Sequence, residues 1–359
     1  MSGSKGQRAL SSGLQGASFM LRRASAVVLA LIFTATFAIL EPATFLSMTT
    51  LRLVLSEQVV IGMLALAALI PLVSGSFDLS IGGMLSIALV ITTWMSVHTQ
   101  LNLGLVSVIA IGVCLVAGWI NGFVVVRLHV NSFIATLAMS EILAAISLLI
   151  SSNSQFAGEF SNTFLSVGQR QVLGIQIDVF YLFALAVIVW YVLEQTPLGR
   201  YLYATGGNEE AARLAGVRTK RLTWGALTVS AGIAGLAGVL LATNVGMYSN
   251  TFGPPLLFPV FAAVFFGATQ IKARPNVWGT LVALYVLAFG VQGIQLRSSD
   301  RSYWVTPLFN GVALLISVAF ASRQGAFGVG RRAKAKPPAG DGTPADEPTV
   351  VGGPGASAT

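Results

Sequence analysis

Between residues 24 and 321 the chain alternates long apolar runs with short connections, and most polar and charged side chains are gathered in those connections. A helix crossing about 30 Å of hydrocarbon needs roughly 17 to 25 mainly apolar residues, because it rises about 1.5 Å per residue. Ten stretches approach or meet that length: 24–40, 54–73, 79–97, 103–126, 133–151, 175–193, 222–242, 256–270, 277–296 and 303–321. The eighth is the shortest and contains Pro259, which interrupts the helical hydrogen-bond ladder. The pattern predicts an all-α, polytopic membrane bundle of about ten transmembrane helices occupying 24–322. Residues 1–23 lack the apolar stretch and small-residue cleavage site of a secretory signal, so they read as an N-terminal cytoplasmic tail before a retained first helix. Residues 323–359, rich in Gly, Pro and Ala, read as a disordered cytoplasmic tail.

Composition agrees with a bilayer. Apolar residues make up 55% of the chain and Asp, Glu, Lys and Arg only 9%, against about 25% charged in soluble proteins. A formal charge of +8 could suggest nucleic acid, but the basic residues sit at helix ends, where they orient a membrane protein. With the N-terminus inside, 17 of the 21 Lys and Arg residues fall in inner connections and tails; only Arg52, Arg170, Arg297 and Arg301 fall outside. That split supports an even helix count, both termini in the cytoplasm and a multi-pass protein of the cell membrane, with lipid and not nucleic acid as its surroundings. The single Cys114 lies in an apolar run and reads as helix packing. His98 and His129 lie in separate connections without ligand-spaced partners, so no metal site is indicated, and no nucleophile, base and metal constellation marks an enzyme.

Candidate transport residues are the polar exceptions. The segment 72–83 interrupts apolar sequence with Gly75, Gly82, Gly83 and one carboxylate, Asp78, followed by Ser80. Two readings compete: an irregular break beside the solute path, tolerated where protein or a wet cavity satisfies the backbone, and a tight cytoplasmic turn in which Asp78 caps the next helix. Glu141 falls near the middle of the fifth span, where an acidic side chain costs about 2.5 to 3.5 kcal/mol. It must face the bundle interior, be paired or be protonated. Asn121, Thr136, Ser140, Asn153, Asn244 and Gln292 could line a polar path or form interhelical hydrogen bonds.

The longest inward connection, 196–221, holds a helix signal of its own. Asn208 is a good N-cap, Glu209 and Glu210 suit the positive end of a short helix, and Gly216 can end it. Ala211, Ala212, Leu214 and Val217 would give that helix a small apolar docking surface, which a plain surface loop does not need.

These segments resemble the ribose/xylose-type permease family of ABC importers. Gly75-Ser76-Phe77-Asp78-Leu79-Ser80-Ile81-Gly82 is similar to that family's G-x-[IF]-D-L-S-[VI]-G segment. Asn121-Gly122, Phe133-Ile134-Ala135-Thr136-Leu137, and Thr196-Pro197-Leu198-Gly199-Arg200 through Gly207 to Val217 follow in the family's order. The resemblance covers the ten-helix region and implies a type II importer fold with two permeases, two cytoplasmic ATPase subunits and an extracytoplasmic solute-binding protein. It implies that Gly207, Asn208, Glu209, Ala211, Ala212, Leu214 and Gly216 belong to a coupling helix seated on the ATPase. The chain has no G-x-x-x-x-G-K-[ST] loop, so ATP and Mg would be handled by that partner. It departs from the family at 252–259, where an apolar, proline-containing segment replaces a polar, acidic one; a pentose or hexose is the first substrate expected, with small polyols and a signalling sugar also open. The rival reading from the residues alone is an ion-coupled secondary transporter that uses Asp78 and Glu141.

Overall fold

The computed structural model describes residues 25–157, 160–270, 274–297 and 304–323. Every apolar stretch forms helix there, giving α1 (Ser25–Leu40), α2 (Met48–Glu57), α3 (Val59–Val73), α4 (Ile81–His98), α5 (Leu103–Arg127), α6 (Ser132–Ser151), α7 (Asn162–Gln169), α8 (Ile177–Trp190), α9 (Pro197–Gly207), α10 (Glu209–Leu214), α11 (Thr219–Val245), α12 (Leu257–Gln270), α13 (Val277–Arg297) and α14 (Val305–Arg323). Among the described residues six helices are long and apolar enough to cross a membrane, or seven if α2 and α3, bent by 41° at Gln58, make one span. The molecule is a polytopic helical membrane protein. Lys5, Arg8, Arg22 and Arg23, read above as inner, the connection residues Lys272 and Arg301, and the tail from residue 324 onward lie outside the described residues.

The centre of the bundle is α3, α4 and α11. Helix α3 is buried from Val59 to Val73 except at Ile61, and α4 is buried from Ile81 to Thr93; a helix apolar all round belongs inside a helical protein. Small residues let these backbones meet, since lipid tails give helices no hydrophobic reason to associate. A methyl group on Gly238 of α11 would fall 2.6 Å from the Leu85 carbonyl, and one on Gly235 would fall 2.9 Å from Cys114. Cys114 is buried, and its Sγ donates to the Met84 carbonyl at 3.4 Å, a packing role that joins α5 to α4. Helices α5 and α6 flank this centre on one side, while α12 to α14 build the other and α1 lies on α13.

The connections sort to two ends. One end gathers the α3–α4 break, the start of α6, α9 and Pro275, through contacts described below. At the other, Phe156–Ala157 pairs with Met247–Tyr248, and Gln169 Nε2 donates to the Asn244 carbonyl at 2.7 Å. From that second end, residues 249–256 dip into the bundle: Ser86 Oγ of α4 donates to the Phe252 carbonyl at 2.7 Å, and Gly82 packs on Pro254. The apolar 252–259 segment therefore fills space against α4, and α12 is short because irregular backbone takes up part of its path.

Candidate functional site

The break between α3 and α4 is a built structure. Gly75, at φ +85°, ends α3: its N–H donates to Leu72 and the Ser76 N–H donates to Pro71, both at 3.0 Å, a closing turn that favours glycine. Beyond it, two backbone donors have no helical acceptor and are met by α6: Phe77 N–H by Ser132 Oγ at 3.1 Å and Leu79 N–H by Thr136 Oγ1 at 3.0 Å. Asp78 is 1% exposed, and its Oδ1 accepts from both the backbone N–H and the hydroxyl of Ser80, an Asx-type turn just before α4 begins. Asn121 Nδ2 of α5 donates to Ser80 Oγ at 2.9 Å. Asp78, Ser80, Asn121 and Thr136 thus come together in one knot joining α4, α5 and α6, and all four are buried within the chain. Ser230 Oγ of α11 approaches the carboxylate without hydrogen-bond geometry, so both it and Asp78 Oδ2 are left unpaired. Ser140, another buried hydroxyl, backs Gly83 of α4.

Glu141 and Asn244 lie elsewhere. The buried edge of α6 carries Ala135, Thr136, Ser140, Leu143 and Ser147, whereas Glu141 is exposed on the opposite face between Leu137 and Ala145. Among the described residues it has no ion pair or hydrogen bond, so the expected interior position is not found within this one chain. The helical period decides this, because the small and hydroxyl side chains that allow close approach claim the inner edge. Asn244 is at the far end of the bundle, where its Nδ2 donates to Asp178 Oδ2 at 2.7 Å. Asp178 is fully buried in the first turn of α8, a position that favours a carboxylate.

The 196–221 connection folds as two helices. Thr196 caps α9 and Pro197 occupies its first turn. Gly206, near the end of α9, packs on the backbone of Val73 and Gly75 at the break. Asn208 then caps α10 by accepting from the Ala211 N–H at 3.0 Å, and Glu209 and Glu210 follow in the first turn. Gly216, at φ +85°, closes it: Val217 N–H donates to Ala212 and Gly216 N–H to Arg213, both at 3.0 Å. Leu214 is 80% exposed, and Ala211 is exposed with it. Ala212, expected on the docking surface with Ala211, is 6% exposed and turned into the chain's own packing, because successive residues of a helix point about 100° apart.

A clamp that sequence reasoning missed supports these helices. Arg274 Nη2 binds both carboxylate oxygens of Glu194, at 2.7 and 2.9 Å, and the guanidinium lies 4.0 Å from the centre of the Tyr203 ring. The Tyr203 hydroxyl donates to the Pro275 carbonyl at 2.7 Å, and burial raises its pKa above the ordinary phenol value. The π-helical turn after α8, α9 and the residues before α13 are tied together at this point. The signal available in sequence was the presence of one acid and one cation at the ends of different apolar stretches, 194 and 274.

The chain is a bundle of membrane helices with a polar break between two of its central helices and a short capped helix held out at the same end. The chain belongs to the family of permease components of the branched-chain amino acid transport system type, which matches residues 50–320. Such a component is a transport protein and not an enzyme. Similar curated proteins include the ribose import permease RbsC of Haemophilus influenzae, 28% identical over 86% of this chain and 95% of its own. The fructose import permease FrcC of Rhizobium meliloti is 29% identical over 79% and 80%, and the L-arabinose permease AraH of Escherichia coli is 31% identical over 82% and 88%. No solved structure matches.

Proposed function

We propose that this chain is the membrane-spanning permease subunit of an ATP-driven importer that admits a monosaccharide delivered by an extracytoplasmic binding protein. The reading is carried by likeness along most of its length to permeases named for ribose, fructose and L-arabinose import. Helix α10, with Leu214 held out to solvent, would supply a surface for cytoplasmic ATPase subunits, and those subunits, not this chain, would hold ATP and Mg. Arg127, Arg200, Arg213, Arg218, Lys220, Arg221 and Arg274 belong to the connections at that end, which favours it as the cytoplasmic end with both termini there.

In this arrangement the bent pair α2–α3, the six long helices and the shorter α1, α12 and α14 make ten crossings. A second permease copy, identical or related, would cover the outward face of α6. Glu141 supports that pairing, since an unpaired carboxylate facing lipid costs about 2.5 to 3.5 kcal/mol and a shared aqueous path between two permeases removes the cost. The knot at Asp78, Ser80, Asn121 and Thr136 would stand behind that path and link it through Gly206 to α10.

Uptake of radiolabelled ribose and L-arabinose into proteoliposomes, holding the chain with its ATPase and supplied with its binding protein, tests the reading. Uptake should need ATP on the ATPase side and persist when proton and sodium gradients are collapsed. Gradient-driven uptake by this chain alone would replace the proposal with an ion-coupled secondary transporter.

A further inference from the structure

A groove of about 750 Å³ runs between the last turns of α5 and the first turns of α11. Its rim carries Arg127, His129, Lys220 and Arg221, and its wall is formed by Trp119 and Trp224. Arg127, Lys220 and Arg221 are exposed, and among the described residues none pairs with a carboxylate. The aromatic wall is built in. Gly122 leaves the space that the Trp224 indole fills, while Trp119 lies 5.3 Å and Phe123 6.1 Å from it, centre to centre. Trp224 Nε1 is buried and has no acceptor in the chain. Gly225, where an added methyl would meet nothing within 4 Å, keeps the groove open along α11.

Both helices are long enough to cross a membrane, and the cations stand at their ends. Trp119 lies two turns deeper, about 12 Å along α5 at about 1.5 Å per residue. The groove therefore grades from three cations at headgroup level to indole and aliphatic surface at the depth of upper acyl chains. Indoles favour that boundary, and basic pockets between membrane helices take anionic headgroups.

We propose that this groove is a binding site for one anionic phospholipid, its phosphate held by Arg127, Lys220 and Arg221 and its glycerol and upper chains laid against Trp119 and Trp224. The site is separate from the Asp78 knot and from the exposed face of α10. It ties the start of α11, the helix that follows α10, to the bilayer.

Native mass spectrometry of the purified full chain, titrated with dioleoyl phosphatidylglycerol or dioleoyl phosphatidylcholine, tests the site. Each basic residue near anionic lipid contributes about fivefold in affinity, so the first bound phosphatidylglycerol should be favoured at least tenfold. Arg127→Gln with Lys220→Gln and Arg221→Gln should reduce that preference below threefold. The charge-keeping set Arg127→Lys, Lys220→Arg and Arg221→Lys should retain most of it, which guards against a folding defect. Equal binding of the two lipids by the native chain would overturn the proposal, as would an unchanged preference in the Gln variant. Displacement of the lipid by millimolar glycerol 3-phosphate would make this a soluble-phosphate site instead. Loss of ATPase co-purification from the Gln variant with lipid preference intact would assign the cations to the ATPase, and would equally overturn it.

Discussion

Gly206, near the end of α9, lies so close to the carbonyl of Val73, the last residue of α3, that no side chain fits between them. A methyl group at Gly206 would also fall 3.0 Å from the Gly75 nitrogen. The helix that leads into α10 thus rests on the backbone at the edge of the Asp78 break. Gly206→Ala should lower stability by about 1–3 kcal/mol through overpacking and should reduce ATP-dependent uptake in step. Unfolding followed by intrinsic fluorescence in detergent gives the first quantity and proteoliposome uptake the second. An unchanged melting temperature would mean that the two segments do not touch as described.

Asp78 and Thr136 hold the break in different ways. Thr136→Val removes the acceptor for the half-buried Leu79 N–H and should cost about 1–2 kcal/mol. Asp78→Asn keeps the Oδ1 acceptor for Ser80 and places an amide toward the unpaired Ser230 hydroxyl. Its thermal stability should equal or exceed that of the native protein, while uptake falls at least tenfold. Native uptake by the Asn variant would reduce the carboxylate to a turn former.

For α10 the two alanines should behave differently. Ala211→Arg with Leu214→Arg changes only exposed positions and keeps good helix formers. Expression and melting temperature should be native, with co-purification of the ATPase lost. Ala212→Arg alone places a charge in the chain's own packing and should destabilise the protein instead. Native ATPase binding by the Ala211 and Leu214 variant would remove α10 from the coupling role.

Glu141 can be probed cleanly because Cys114 is the only cysteine and is buried. In a Cys114→Ser background, Glu141→Cys in the assembled importer should react with a charged methanethiosulfonate reagent. Ile142→Cys, on the same helix and 52% exposed with Ala138, Met139, Ala145 and Ile146 as its neighbours along the helix, should react at least tenfold more slowly. Equal rates, measured by mass shift over time, would contradict an aqueous path at Glu141.

Much of the bundle was legible in sequence because the period of apolar residues and the demand of hydrocarbon are coupled. Asn208 and Gly216 could be read as the bounds of a short helix because cap chemistry is local. The meeting of Asn121 with Ser80, and of Thr136 with Leu79, depends on which edges of α5 and α6 turn inward, and single polar residues do not encode that. Glu141 shows the same limit: its cost in lipid required cover, but only the small-residue edge of α6 reveals that the cover must come from outside the chain. Ala212 turns inward while Ala211 stays exposed because successive residues of a helix point about 100° apart, and the Glu194–Arg274 pair spans 80 residues with no motif to announce it.

The break between α3 and α4 also dictates an order of manufacture. The backbone groups of Phe77 and Leu79 wait for hydroxyls 55 and 57 residues further along, an interval of roughly 3 to 11 s at about 5–20 residues per second. Until α6 arrives, the ribosome-bound nascent chain leaves these two donors to the water at that end of the bundle. The turn after α3 therefore reaches its final hydrogen bonding only when the fifth span is delivered. A translational stall before residue 132 would hold four spans in place with this turn still open to water.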